Sequence, residues 1–180
     1  MKGWIGPIAL ALVAGIAAHW TTLALAPGVI MDAALANLAK RNIALHAFTN
    51  PQRITPQSQA VVRSSPDLFY ALCRYDFGEL EGSLKVTMSE WPGYQSLSFF
   101  DASTNNYATI RGEGRTRTKM LLPPEMVGSQ KEGEIISPTA HGVILIRRLA
   151  PTQELFDQAL EASKADGCEY FGAPNADPTD

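Results

Sequence analysis

The sequence predicts an α+β chain: a mainly antiparallel, jelly-roll-like β-sandwich with an N-terminal transmembrane helix, a juxtamembrane helix and a C-terminal helix. Three observations carry that prediction. Residues 5–26 hold no formal charge. Between Phe69 and Asp101, three short β-prone apolar runs follow one another, separated by Gly/Pro-containing turn chemistry. After Pro151 a last amphipathic pattern appears at helical spacing.

The 22 residues from Ile5 to Ala26 are rich in Ala, Leu, Ile and Val. As a helix they reach about 33 Å at about 1.5 Å per residue, enough for a bilayer core of about 30 Å. Trp4 stands near one end, and His19-Trp20-Thr21-Thr22 gives the second half an interfacial character. A cleaved signal peptide is the rival, with Ala24-Leu25-Ala26 as a small-residue exit. The run is longer than a signal core of about 15 residues and Pro27 would follow the cut, so the retained anchor is preferred. A buried core helix fits poorly, because the stretch lacks a polar face. Lys2 precedes the span, while Asp32 and then Lys40-Arg41 follow it, so the positive-inside bias puts the N-terminus in the cytoplasm and exports the bulk.

Pro27-Gly28 is expected to interrupt this helix. A second helical pattern then follows, with Ile30, Ala34, Leu38 and Leu45 opposite Asn37, Lys40 and Arg41, ended by Asn50-Pro51. It either lies on lipid headgroups or packs on its own domain. His46 on it has no neighbour at metal-ligand spacing. The divisions are 1–27 anchor, 28–50 juxtamembrane helix, 51–171 sandwich and 172–180 disordered tail. Pro51 and Pro56 make 51–63 extended, and Ser64-Ser65-Pro66-Asp67 resembles a short helix start.

The strands follow in order. Phe69–Phe77 comes first, and then Ser83–Met88 alternates, with Leu84, Val86 and Met88 on one face and Lys85 and Thr87 on the other. Tyr94–Phe100, Tyr107–Arg111, Thr118–Leu122, Glu134–Ser137 and Gly142–Leu149 complete the set, the last apolar enough to be central. Gly112-Glu113-Gly114 is a hairpin turn. Around it Arg111, Arg115, Arg117 and Lys119 form either an anion-binding patch or, the preferred reading, protective charge on an edge strand. Pro151-Thr152-Gln153-Glu154 opens the closing helix, with Leu155, Phe156, Ala159, Leu160 and Ser163 on its inner side.

Several blocks recur together: VRSSPDLFYALCRYDF (Val62–Phe77), YQSLSFFD with a following Asn105-Asn106, LLPP (Leu121–Pro124), SPTAHGVILIRRL (Ser137–Leu149) and the late Cys168. In this order the chain resembles the bacterial membrane-anchored, single-domain members of the domain of unknown function 1254 family, from about Arg53 to Cys168. The resemblance implies a β-sandwich-like fold at the bacterial inner membrane, single-pass, with a periplasmic domain. It also implies a partner, because longer relatives carry a second domain of the 1214 family that short forms leave to a separate anchored protein. It implies no reaction.

Cys73 and Cys168 are the two cysteines. In an oxidising compartment they are expected to pair and to fix the C-terminal helix against the sheet. Two buried, reduced thiols are the alternative. The net charge of -3 disfavours nucleic acid as a partner. Membrane lipid around Ile5–Ala26 is the expected contact. No phosphate loop, metal-ligand pair or nucleophile elbow appears, His46 and His141 stand isolated, and no cofactor or metal is expected. The polar candidates for a ligand site are Arg74 and Asp76 on one face of the first strand, Tyr94, and Asp101, Asn105 and Asn106 at the third strand's end. Ordinary turn capping is the simpler role for the last three. Two function classes remain: a non-catalytic envelope module binding a partner domain or small ligand, and an exported hydrolase-like enzyme with a carboxylate site near Asp76 and Asp101.

Overall fold

The structure, a computed structural model, describes residues 2–50, 52–55, 64–79 and 82–172. Of the extended segment expected at 51–63, residues 51 and 56–63 lie outside those residues, as do the Leu80-Glu81 turn and the tail beyond Gly172, and residues 52–55 hold no helix or strand.

One continuous helix, α1, runs from Ile5 to Lys40, 36 residues and about 54 Å long. The expected break at Pro27-Gly28 does not occur. Proline removes a single amide donor, and the flanking Ala24-Leu25-Ala26 and Ala33-Ala34-Leu35-Ala36 are strong helix formers that outweigh it. The helix has two regimes along its length. From Ile5 to Ile30 no side chain is buried, and Met31, at 5% exposure, is the first that is. The helix ends at Lys40 rather than at Asn50-Pro51, in a Schellman closure. Asn42 takes φ 59°, its amide donates to Ala39 O at 3.0 Å, and the Ile43 amide donates to Leu38 O at 3.1 Å. Residues 43–49 are therefore not helical. They run beside the first strand, bridging Leu45 to Arg74 and Thr49 to Leu72, and so cover an otherwise open sheet edge. His46 lies in this segment, not on a helix.

The strands are β1 (Leu68–Asp76), β2 (Gly82–Met88), β3 (Gln95–Phe100), β4 (Asn106–Arg111), β5 (Arg117–Leu122), β6 (Ile135–Ile136), β7 (His141–Leu149) and β8 (Gly167–Gly172). They form two four-stranded sheets, ordered β1-β7-β3-β4 and β6-β5-β2-β8. All pairings are antiparallel except β5 with β6. The core lies between the sheets. β1 contributes Phe69, Ala71, Cys73 and Tyr75 at strict alternation, and β2 contributes Leu84, Val86 and Met88 as its sequence pattern requires. β7 is central in its sheet and adds Ile144 and Ile146. Ser64–Asp67 makes a turn instead of a short helix.

β8 was not expected. Only Cys168 on it is buried, while Tyr170 and Phe171 are exposed, so it shows no alternation. Its pairing with β2 forms it instead, and Gly172 ends this strand rather than opening a tail.

The C-terminal helix α2 (Gln153–Ala162) is capped by the Thr152 hydroxyl, which accepts from the Leu155 amide at 3.2 Å. Phe156 and Ala159 face inward, with Phe156 edge-to-face on Phe69 at 5.2 Å. Leu160, expected inside, is 41% exposed. Cys73 and Cys168 are disulfide-bonded across a sequence separation of 95. The bridge joins β1 of one sheet to β8 of the other, so it fastens sheet to sheet rather than helix to sheet.

Candidate functional site

β1 and β3 run in the same direction with β7 reversed between them. Their C-terminal ends, at Asp76 and Asp101, and the start of β7 at His141 therefore gather at one end of the sandwich. The last turns of α1 arrive there, and α2 covers the opposite end against Phe69. Tyr94 precedes β3 and so belongs to the far end, where it is 46% exposed and its hydroxyl donates to Ser96 Oγ at 3.3 Å. The six candidate residues do not form one site.

Asp101, Asn105 and Asn106 build a turn. Asp101 Oδ1 accepts from the Ser103 and Asn105 amides, both at 2.8 Å, and Oδ2 accepts from Asn105 Nδ2 at 2.9 Å. Asn106 bonds the Thr109 hydroxyl. The buried Asp101 carboxylate is held as a turn cap and does not open into the cleft that Asp76 lines.

Arg74 and Asp76 do share a cleft. An open cleft of about 210 Å³ lies between α1 and the sheet, lined by Asp32 and Leu35 of α1, by Arg74, Tyr75, Asp76 and His141 of the sheet, and by Leu45 of the segment beside it. The Arg74 Nε donates to Ile43 O at 2.9 Å, which fixes the guanidinium. Asp76 Oδ1 accepts from the Gly78 amide at 2.8 Å. Arg74 and Asp76, one pleat apart on the same face, make no ion pair with each other among the described residues. His141 is the cross-strand partner of Asp76, and its Nε2 lies 3.6 Å from the Asp32 carboxylate. His46 Nε2 lies 3.1 Å from both the amide N and the carbonyl O of Asp76.

Asp32, His46 and His141 were thus missed as members of the site. They come from three segments more than 90 residues apart at the extremes, and no local spacing announces them. The only readable sign was the polar outer face of β1.

Behind the cavity, the Tyr75 hydroxyl meets Ser137 Oγ at 2.9 Å, Tyr107 Oη at 3.1 Å and Phe100 O at 3.3 Å. Burial raises the pKa of Tyr75, against the lowering effect of the Ser137 and Tyr107 hydrogen bonds. Burial raises Tyr107 as well, reinforced by Tyr75. Gly142 is required here: a Cβ would overlap the Phe100 carbonyl and the Tyr75 ring.

At the other end a second cluster escaped notice. Arg148 and Asp166, both fully buried, form a bidentate pair, Nη1 to Oδ2 at 2.8 Å and Nη2 to Oδ1 at 2.6 Å. The Ser89 hydroxyl accepts from Nη2 at 2.9 Å. The group ties β7, the end of β2 and the turn before β8 together. Among the described residues no three His, Cys, Asp or Glu side chains are grouped to hold a metal ion.

Among known structures, the VPA0106 protein from Vibrio parahaemolyticus matches with a TM-score of 0.57 at 14% identity, over 82% of this chain and 37% of that one. At that identity the likeness shows the fold alone. An uncharacterised protein from Burkholderia cenocepacia matches with a TM-score of 0.45 at 11% identity, over 64% of this chain and 34% of that one. This chain therefore spans little more than a third of either protein's length. No curated protein matches it. The family described as "Protein of unknown function (DUF1254)" matches residues 45–166, from the edge-covering segment beside β1 through Asp166 of the buried ion pair. That match covers well over half of the sequence, and the chain belongs to the DUF1254 family.

Proposed function

We propose that this protein is a bacterial inner-membrane tether, N-terminus in the cytoplasm, whose periplasmic sandwich docks a second folded domain and performs no catalysis itself. The observation that carries the reading is the two-regime helix: an apolar stretch from Ile5 to Ile30 with no buried side chain, then the one buried residue of the helix, Met31, with Leu35 and Leu38 partly covered after it. Such a surface is stable in hydrocarbon and costly in water. The disulfide agrees with an oxidising compartment. Docking is drawn from the family resemblance, which implies a second domain of the 1214 type beside this one, and this chain covers only 37% of the Vibrio protein. The hydrolase reading gains nothing from the site, because Asp76 and Asp101 each cap backbone amides in separate places.

The test is purification of the tagged full-length chain from carbonate-washed membranes in mild detergent. The expected result is retention in the washed membrane and recovery of one sandwich-type protein at equal stoichiometry. Release by carbonate removes the anchor. Recovery of the chain alone, across detergents and salt concentrations, removes the docking.

A further inference from the structure

The cavity beneath α1 is lined by charges of both signs at a defined depth. Asp32 is the first formally charged side chain after Lys2 and stands two residues past the exposed Ile30, the end of the unburied apolar surface, or about 3 Å along the helix. If α1 spans the bilayer, that height is the headgroup layer. Arg74 is held through Nε, and its two Nη groups donate to no partner among the described residues. Asp76 uses Oδ1 for the Gly78 amide, and its Oδ2 likewise has no partner there. The Asp32 side chain is 72% exposed; its Oδ1 lies 3.6 Å from His141 Nε2, which leaves Oδ2 for a ligand. Arg74 and Asp76 stand about 7 Å apart along β1, two residues at about 3.4 Å each.

A simple anion in this cavity would bond Arg74 but meet two carboxylates. A simple cation would find the carboxylates but meet a fixed guanidinium. One ligand class satisfies both: a phosphate joined by a short linker to a primary ammonium. We propose that the cavity between α1 and β1 binds a phosphoethanolamine group, with the phosphate on the Arg74 Nη atoms and the ammonium between the Asp32 and Asp76 carboxylates. Charge-assisted hydrogen bonds on both halves give selectivity over a headgroup that lacks the amine. The inference takes from the proposed function only the source of the ligand, an outer-leaflet lipid; the chemistry of the cavity is independent of it.

The experiment is native mass spectrometry of the full-length protein in detergent micelles. Short-chain phosphatidylethanolamine, phosphatidylglycerol and soluble glycerophosphoethanolamine are supplied as probes. Phosphatidylethanolamine is expected to be retained over phosphatidylglycerol by about tenfold, the worth of one charge-assisted hydrogen bond. Asp32→Asn, at an exposed position that leaves the fold intact, should erase that preference. Arg74→Gln should weaken both lipids together, and an unchanged melting transition shows that it still folds. Displacement of the lipid by the soluble probe assigns the site to a free phosphoamine, and retention of the lipid alone assigns it to the membrane. Equal retention of the two lipids, or a preference unchanged in both variants, overturns the proposal. Because the measurement is made in micelles, release of the protein from carbonate-washed membranes would remove the anchor without touching this result.

Discussion

Arg148 places a full positive charge inside the sandwich, and Asp166 with Ser89 makes that tolerable. Breaking such a pair from one side costs about 3–5 kcal/mol, because the remaining charge is left without a partner in a low dielectric. Asp166→Asn is therefore expected to lower the unfolding free energy from urea titration by that amount, while Arg148→Met with Asp166→Leu recovers most of it. A loss below about 1 kcal/mol for the single change would mean that solvent reaches the pair. The Tyr75–Tyr107 pair makes a second prediction, in pH. The fold favours the protonated phenols and raises both pKa values above an unfolded value of about 10. The unfolded chain then releases its protons first, so this stabilisation is complete below about pH 10 and is lost as pH rises through the folded values. Urea titrations at pH 9 and pH 11 should show the decline, and Tyr107→Phe should flatten it. At this scale the sequence reveals little. Arg147 and Arg148 are adjacent and chemically identical in the string, and only a carboxylate 18 residues on separates the buried one. The Cys73–Cys168 pairing was legible because two cysteines in an oxidising compartment have a reason to pair.

Elements whose own residues dictate them were readable, and elements made by their neighbours were not. β2 alternates, so its end at Met88 and its inward face followed from period two, and its start at Gly82 lies one residue before the expected Ser83. The central place of β7 followed from its apolar run. β8 has one buried residue and exists because β2 offers it a ladder. α1 runs through Pro27 because the loss of one donor is smaller than the combined propensity of its alanines and leucines. The disulfide tests this picture of β8. Closing a loop of this length stabilises by about 2–4 kcal/mol. Reduction should lower stability by that amount, and amide exchange should speed up first in β8, the edge strand that the bridge secures. Uniform exchange across both sheets after reduction would show that β8 is held by its pairing alone.

For the whole molecule, one end of the sandwich receives α1 and the other receives α2, and the polar cavity lies at the α1 end. The fold class was legible because apolar runs and turns repeat along the middle of the chain. The site was legible only in half. Arg74 and Asp76 announce themselves on the outer face of β1, whereas His141 joins them through the pairing of β7 with β1, and Asp32 and His46 through the docking of α1 and its trailing segment. Tyr94 and Asp101 were drawn in by their place near strand ends, which the topology distributes to different corners. The proposed compartment, partner and headgroup all depend on which side of the membrane that cavity faces. A pair of reporters fused after Asp180 measures this directly. An alkaline phosphatase, which requires disulfides to become active, should be active there, and a fluorescent protein that matures only in the cytoplasm should stay dark. A bright cytoplasmic reporter with an inactive phosphatase would contradict the account.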